Sequence, residues 1–416
     1  MLLLEKISSL VSPIPSLNLP SDISPRAKGS DMGNLRVLEN GGIAIEGKKI
    51  VAVGPSDQIT ELYPAAERID CSGKTVLPGF VDSHTHIVFA GNRSNEFAMR
   101  LRGATYQEIY EAGGGIRSTM RAVREASLEE IVETARPLVQ SAFRHGSTTV
   151  EVKSGYGLDT ESELKLLEAI RVLDREEEPD LVATFLGAHA FPPEFADDRD
   201  AYVRLIIEEM IPEVAERGLA EYCDVFTDEG YFTVAESERI LEAGTEHGMK
   251  VRVHADELAD VSAAAMAARL GAVSADHLLK ISDAGIDAMA EAGVIATLLP
   301  GTAFYLNLPY APARRLIERG LPVALATDCN PGTNMCENMG MTLALACMGM
   351  RMTIEEAITA ATLNGAAALD RSDRIGLIQP GYRADLIIAD APTYPDLVYH
   401  YGVNQISKTI RGEIQN

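Results

Sequence analysis

Through the middle of the chain, short β-rich apolar runs alternate with longer stretches whose apolar positions recur every three or four residues. Eight runs stand out: Gly79–His86, Thr148–Lys153, Leu181–His189, Cys223–Thr227, Lys250–Ala255, Ala272–His277, Val294–Leu299 and Pro322–Asp328. The stretches between them read as helices. Thr160–Arg175, for example, carries Leu164, Leu167, Ile170 and Leu173 at helical spacing, with acidic residues early in the run where the helix dipole favours them. Strands alternating with helices predict parallel βα units, and eight of them predict a closed (β/α)8, TIM-like barrel over residues 78–378, an α/β fold.

The two ends have a different texture. Residues 1–77 break short apolar runs with Pro, Gly and Ser, and Ile43–Gly54 reads as a hairpin turning at Gly47. Near the far end, Gly381–Asp390 reads as a turn followed by a strand. The expectation is that residues 1–77 and 379–416 together form one small β-sandwich domain. The longest gap between predicted strands, Ile87–Ser147, holds Gly113-Gly114-Gly115 and several arginines. In a barrel such a long βα loop builds the substrate end, although the glycines also suit a plain interhelical turn.

Composition narrows the partners. With 46% hydrophobic and 24% charged residues, the 416-residue chain can bury a sizeable core as a globular protein. A formal net charge of -24 repels phosphate backbones and anionic membranes, so neither nucleic acid nor membrane is an expected partner. A small anionic substrate stays open, provided an arginine is placed to bind it. Five cysteines without a CxxC pair suit a reducing cytosol, and no apolar run approaches membrane-spanning length; a cytoplasmic location is expected.

The candidate chemistry lies at the ends of the runs. His84 and His86 close the first, and residues two apart on a strand point the same way, so both imidazoles can face one metal. His189, His254, His277 and Asp328 close others, and strand C-termini in a barrel form one rim, where active sites lie. For a single histidine a structural hydrogen bond would suffice; five of the eight histidines placed alike point to a site. Three histidines with one aspartate suit zinc or iron(II) with a position open for water, whose pKa such an ion lowers towards neutrality.

Leu77-Pro-Gly-Phe-Val-Asp-Ser-His-Thr-His86, Val253-His-Ala-Asp-Glu257, Ala275-Asp-His277 and Ala326-Thr-Asp-Cys-Asn-Pro-Gly332 resemble the amidohydrolase superfamily, over nearly the whole chain. Phe89-Ala-Gly-Asn-Arg93, Gly103-Ala-Thr-Tyr106, Gly113-Gly-Gly-Ile-Arg117, Glu151-Val-Lys-Ser-Gly-Tyr-Gly-Leu158 and Phe185-Leu-Gly-Ala-His-Ala190 are similar to a narrower branch that opens an imidazolone ring in histidine degradation. The resemblance implies one divalent ion per subunit, Zn2+ or Fe2+, held by His84, His86, His254 and Asp328. It further implies hydrolysis of the cyclic amide of 4-imidazolone-5-propanoate to N-formimidoyl-L-glutamate, in a homodimer.

Roles follow for the neighbours. Glu257, in the loop after His254, is expected to be the general base and proton shuttle, its plainer alternative being a carboxylate at the start of the next helix. His277 would stabilise the carbonyl oxygen as it gains charge, and Asp328 could hold a proton in transit or merely shape a strand-end turn. Arg93 can pair with the propanoate. Tyr106, Tyr156 and His189 would line the ring, with Glu257, Asn330, Gly332 and Thr333 also offering groups to the substrate. Cys223–Glu229 holds no lysine that could be carboxylated to bridge two metals, so one metal is expected, with Lys153 a structural cation. The Met-rich stretch from Met335 to Met352 reads as core filler in a barrel helix. Two rivals remain: an aminohydrolase of a cytosine- or guanine-like ring, which has no evident need of Arg93, and a non-catalytic scaffold, which would be expected to lose metal ligands.

Overall fold

Seven short strands precede the barrel: β1 (Leu2–Ile7), β2 (Ser9–Pro13), β3 (Leu35–Leu38), β4 (Gly41–Glu46), β5 (Lys49–Pro55), β6 (Glu67–Asp70) and β7 (Thr75–Pro78). The structure is a computed structural model that describes residues 1–17, 24–105, 108–109 and 112–412. Gly47, at φ +57°, makes the predicted turn between β4 and β5, a backbone shape that only glycine adopts without strain. The barrel strands follow: β8 (Phe80–Asp82), β9 (Ser147–Lys153), β10 (Asp180–Ala188), β11 (Tyr222–Thr227), β12 (Lys250–Ala255), β13 (Ser274–His277), β14 (Ile295–Leu298) and β15 (Val323–Leu325). Then come β16 (Asp385–Ala389) and β17 (Ile406–Arg411).

The terminal strands form two sheets, in the orders β5-β4-β1-β6 and β17-β16-β7-β2-β3. In the second, β16 lies antiparallel to β7 with Ile388 opposite Val76, so the C-terminal segment completes a sheet that the N-terminal segment begins. Alternate side chains face inward: Leu2, Leu4, Ile43 and Ile45 from one sheet pack on Leu10, Val76, Leu386, Ile388 and Ile410 from the other. Two sheets sharing one apolar filling are a sandwich, as the period-two pattern requires.

β8 to β15 pair in sequence order, each parallel to the next, in one eight-stranded sheet. The fold is thus the predicted TIM-like barrel with a small β-sandwich. Helices cover the connections, among them Thr160–Glu176, whose start is fixed by the Asp159 carboxylate accepting the Ser162 N–H at 2.7 Å.

The first and last runs need a correction, since β8 stops at Asp82 and β15 at Leu325 rather than at His86 and Asp328. Beyond those points the chain bonds across the seam: the Asp328 N–H donates to the His84 carbonyl at 3.0 Å and the His86 N–H to the Cys329 carbonyl at 2.9 Å. Asp82 reinforces the seam by accepting the Thr327 N–H at 2.9 Å and its hydroxyl at 2.6 Å. His84, His86 and Asp328 therefore lie in the stitching that closes the barrel, not on ideal strands.

The Met-rich stretch becomes a helix, Met339–Met350, which buries Met339 and Met350 but leaves Met348 58% exposed, with Met335 before it 46% exposed. Only part of it is core filler. Among the described residues no helix is long and apolar enough to cross a membrane.

The opposite mouth of the barrel is plugged by the short helix Leu363–Ala367 and its sequel, where Ala366, Leu369 and Ile375 pack on Val81, Val182 and Tyr222. Gly365 makes this approach possible, because a Cβ there would sit 2.6 Å from the Val81 carbonyl oxygen. Gly365→Ala should lower the unfolding free energy by about 1–3 kcal/mol, the usual range for overpacking, measured by urea denaturation. An unchanged midpoint would mean that the plug is not tightly seated.

Candidate metal centre and substrate pocket

The loops after β8 and the end of β12 bring His84, His86 and His254 together, with one nitrogen from each lying within 4.8 Å of the others. The Nε2 atoms of His86 and His254 are 3.4 Å apart. Asp328 Oδ1 lies 3.8 Å from His84 Nε2 and 3.7 Å from His86 Nε2. All four side chains are buried. Burial, followed by neighbouring cationic groups, pushes His84 and His86 well below the ordinary histidine range, so they are neutral and carry lone pairs.

Polar satisfaction at this cluster is incomplete in a telling way. His84 Nδ1 donates to Asp276 Oδ2 at 2.6 Å and His254 Nδ1 to Asp224 Oδ1 at 3.1 Å, so in both rings Nε2 faces inward, and in the neutral His84 ring that atom carries a lone pair. His84 Nε2 has no hydrogen-bond partner among the described residues. Converging lone pairs and a carboxylate repel unless a cation lies among them. The donor set fits a divalent metal, and the carboxylate behind each of these two histidines is the usual way of fixing a ligand's tautomer.

Beneath the histidines lies a buried charge network. Lys153 Nζ donates to Glu151 Oε1 at 2.7 Å and to Asp224 Oδ2 at 2.8 Å. Arg252 donates to Asp276 Oδ2 at 3.0 Å, to the Ser83 carbonyl at 2.7 Å and to the Ala368 carbonyl at 2.6 Å. Burial works against ionisation of Asp276, but Arg252 and Lys153 outweigh it and hold its carboxyl below the usual range. Lys153 thus sits as a structural cation behind the ligands. Sequence reading missed Glu151, Asp224, Arg252 and Asp276. The signal was there: each is a charged residue inside an otherwise apolar barrel strand, where burial demands a partner.

Around the rim, Glu257 Oε1 stands 3.5 Å from His277 Nδ1. Glu257 is no helix cap, since the next helix starts at Ala263 after Ser262. Its loop is held by Asp228, whose carboxylate accepts the N–H groups of Glu257, Leu258 and Ala259 at 2.8, 2.8 and 3.0 Å. Burial, with the charges of Asp328 and Asp228, pushes the Glu257 carboxyl up to about 8. A cation among the histidines opposes that shift. Asp328 accepts the Thr302 hydroxyl on Oδ2, and burial pushes its carboxyl up to about 6. Backbone φ values of +76° at His277 and +53° at Asp328 place both in the left-handed region, a strain that clusters at functional sites.

Tyr156 and His189 join the same wall. The His189 ring stacks on His86 with centroids 5.1 Å apart, and the Tyr156 ring lies 5.8 Å from His86. His189 Nδ1 bonds the Gly155 carbonyl at 2.9 Å, and burial pushes the ring down to about 3, so it is neutral. The loop bearing Tyr156 hangs on Glu163, which accepts the N–H groups of Gly155, Gly157 and Leu158 at 2.8, 2.7 and 2.9 Å. Asp228 and Glu163 went unread because a carboxylate that serves backbone donors of a loop looks like any acidic residue in a sequence.

Arg93 is largely buried and is held by Glu96, which accepts its Nε–H at 2.9 Å and the Gly115 N–H at 3.0 Å. The Gly113–Gly115 turn thus locks the arginine as well as opening the helix Ile116–Glu125. A side chain at Gly332 would meet Arg93 Nη1 at 2.3 Å, so this glycine makes room for the guanidinium. Asn330 Oδ1 accepts the N–H groups of Gly332 and Thr333 at 2.8 and 2.7 Å, and its amide donates to the Thr333 hydroxyl at 2.8 Å. These groups, expected to serve the substrate, shape their own loop in this structure. Tyr106 lies outside the described residues.

An eight-stranded barrel with three histidines and an aspartate at one rim defines a metal-dependent hydrolase class. The amidohydrolase family model matches residues 75–413, and the chain belongs to that family. A second match, over residues 41–66, is to an imidazolonepropionase-like composite domain of bacteria. A protein named imidazolonepropionase from Geobacillus thermodenitrificans (strain NG80-2) is 52% identical over 385 residues, 92% of this chain and 91% of that protein. One of the same name from Caldanaerobacter subterraneus subsp. tengcongensis is 47% identical over 412 residues, 99% and 97% of the two chains. Among solved structures, an adenosine deaminase from Xanthomonas campestris with bound zinc matches with a TM-score of 0.71 at 20% identity, covering 99% of this chain and 91% of that one. The guanine deaminase of E. coli matches at 0.69 and 18%, covering 99% and 97%. At such identities the likeness concerns the fold alone.

If Asp224 sets the tautomer of His254, Asp224→Asn should weaken metal binding by roughly 10- to 100-fold. Competition against a chromophoric chelator measures this, and an unaltered affinity would detach Asp224 from the metal centre.

Proposed function

We propose that the chain is an imidazolonepropionase, which hydrolyses the cyclic amide C–N bond of 4-imidazolone-5-propanoate to N-formimidoyl-L-glutamate. The observation that carries this reading is the 47–52% identity, over 92–99% of this chain, with proteins of that name. The arrangement of the site supports it independently. A locked arginine for a carboxylate has no evident use in a nucleobase deaminase, whereas a ring bearing a propanoate needs one. The chain divides, on this reading, into a barrel over residues 78–378 and a small domain from residues 1–77 and 379–416. It works as a cytoplasmic homodimer without nucleic-acid or membrane partners.

His84, His86, His254 and Asp328 would hold one zinc or iron(II) ion per subunit, which would supply Lewis-acid activation of water near neutral pH. Arg93 pairs with the propanoate and fixes the ring's orientation, while Tyr156 and His189 flank it; Tyr106, Asn330, Gly332 and Thr333 complete the pocket. Glu257 takes the proton of the attacking water and returns it to the ring nitrogen as the C–N bond breaks. His277, kept neutral by burial, donates a hydrogen bond to the carbonyl oxygen as charge develops there. Asp328 can relay a proton beside Glu257.

The test generates imidazolonepropanoate in situ from urocanate and follows its loss with metal-loaded protein, with and without a chelator. Loss well above the spontaneous rate, abolished by the chelator, is expected; loss no faster than background in the loaded protein overturns the reading. Arg93→Ala should lower kcat/KM by roughly 10²–10³-fold with the metal retained, as expected for removing a paired charge. His254→Ala should lose the metal itself. Equal metal loss in both variants would show that Arg93 is misassigned.

A further inference from the structure

Arg93 is followed two helical turns later, in the helix Ser94–Leu101, by Arg100, so the two side chains leave the same side of that helix. Both converge on Gly332. Arg93 lies where a Gly332 Cβ would be, and Arg100 Nη2 donates to the Gly332 carbonyl at 3.3 Å. Arg93 has Glu96 as its carboxylate, whereas among the described residues Arg100 has an ion pair with none. Its Nη1 is buried without a hydrogen-bond partner among those residues. Its guanidinium carbon lies over the Tyr305 ring, 5.7 Å from the centroid. Burial raises the Tyr305 hydroxyl while Arg100 and Arg93 both oppose the rise, which places the two cations around one phenol. A part-buried guanidinium whose sealed Nη1 has no acceptor among the described residues, in a chain of net charge -24, is suited to take up an anion.

We infer that Arg100 is a second cation of the carboxylate subsite, so that the substrate's carboxylate is held between the guanidiniums of Arg93 and Arg100 beside Gly332. This rests on the imidazolonepropionase reading for the identity of the carboxylate. Arg100 is a specificity residue: it selects ring substrates that carry an anionic side chain, and it takes no part in the bond-breaking step.

The experiment uses the metal-loaded full chain and two probes, imidazole-4-propanoate and 4-methylimidazole, titrated calorimetrically. Arg100→Met should weaken the first by roughly tenfold or more and leave the second within about twofold, because only the first offers a partner for the charge. KM for imidazolonepropanoate should rise with it, and kcat should change less. Arg100→Lys, which keeps the charge but not the fork, should recover part of the loss. Metal content and thermal melting verify that each variant is folded; if the methionine variant is not, the lysine variant decides, with at least about threefold weakening expected. Unchanged binding of imidazole-4-propanoate, or equal weakening of both probes, overturns the inference. Absence of turnover by the unaltered protein would instead overturn the functional reading, and the two probes would still test Arg100.

Discussion

Five charged side chains sealed from water, Glu151, Lys153, Asp224, Arg252 and Asp276, occupy the barrel below the histidines, and the candidate metal centre is built on them. Removing such ions from water is expensive, several kcal/mol each, and is recovered only when geometry is good and remaining donors are used. Here Lys153 spans two strands by joining Glu151 and Asp224, while Arg252 ties Asp276 to backbone carbonyls at 83 and 368. Three carboxylates against two cations leave the group with an excess of acidic side chains under the His84 and His86 rings, which burial keeps neutral. That imbalance favours a cation above, and the two carboxylates that touch His84 and His254 turn their lone pairs towards it.

The same economy of backbone bonding organises the rim. Barrel closure is made by the stretch carrying His84 and His86 against the stretch carrying Asp328, so these three side chains are in register because the seam is. Three more carboxylates hold the loops above: Asp228 for Glu257, Glu163 for Tyr156, and Asp256 for the start of the helix after Ser262. Each satisfies several N–H groups that would otherwise be buried and unpaired. Glu257 and Tyr156 thus stand on loops whose backbone is tied by buried carboxylates.

An anionic substrate has to enter an acidic protein. At distance the net field opposes it, but that field is screened within about 10 Å at ordinary ionic strength. At contact, paired charge-assisted hydrogen bonds from a desolvated guanidinium dominate. Glu96 holds Arg93 in place, its Oε2 accepting both the guanidinium Nε–H and the Gly115 N–H.

The period of the apolar runs, which reports how each segment is buried, determined the barrel and the β-rich ends from sequence alone. The placing of His84, His86, His254 and Asp328 at the ends of predicted runs singled out a candidate donor set, of which the structure brings His84, His86 and His254 within 4.8 Å of one another. Only the tertiary structure decided that His84, His86 and Asp328 lie past the strands, since seam bonds form between segments over 240 residues apart that no local pattern relates. It alone revealed Asp224 and Asp276 behind the histidines, Asp228 and Glu163 under the loops, and Arg100 beside Gly332. A buried carboxylate or guanidinium takes its role from what surrounds it, and those surroundings are assembled by long-range packing rather than by neighbours in the chain.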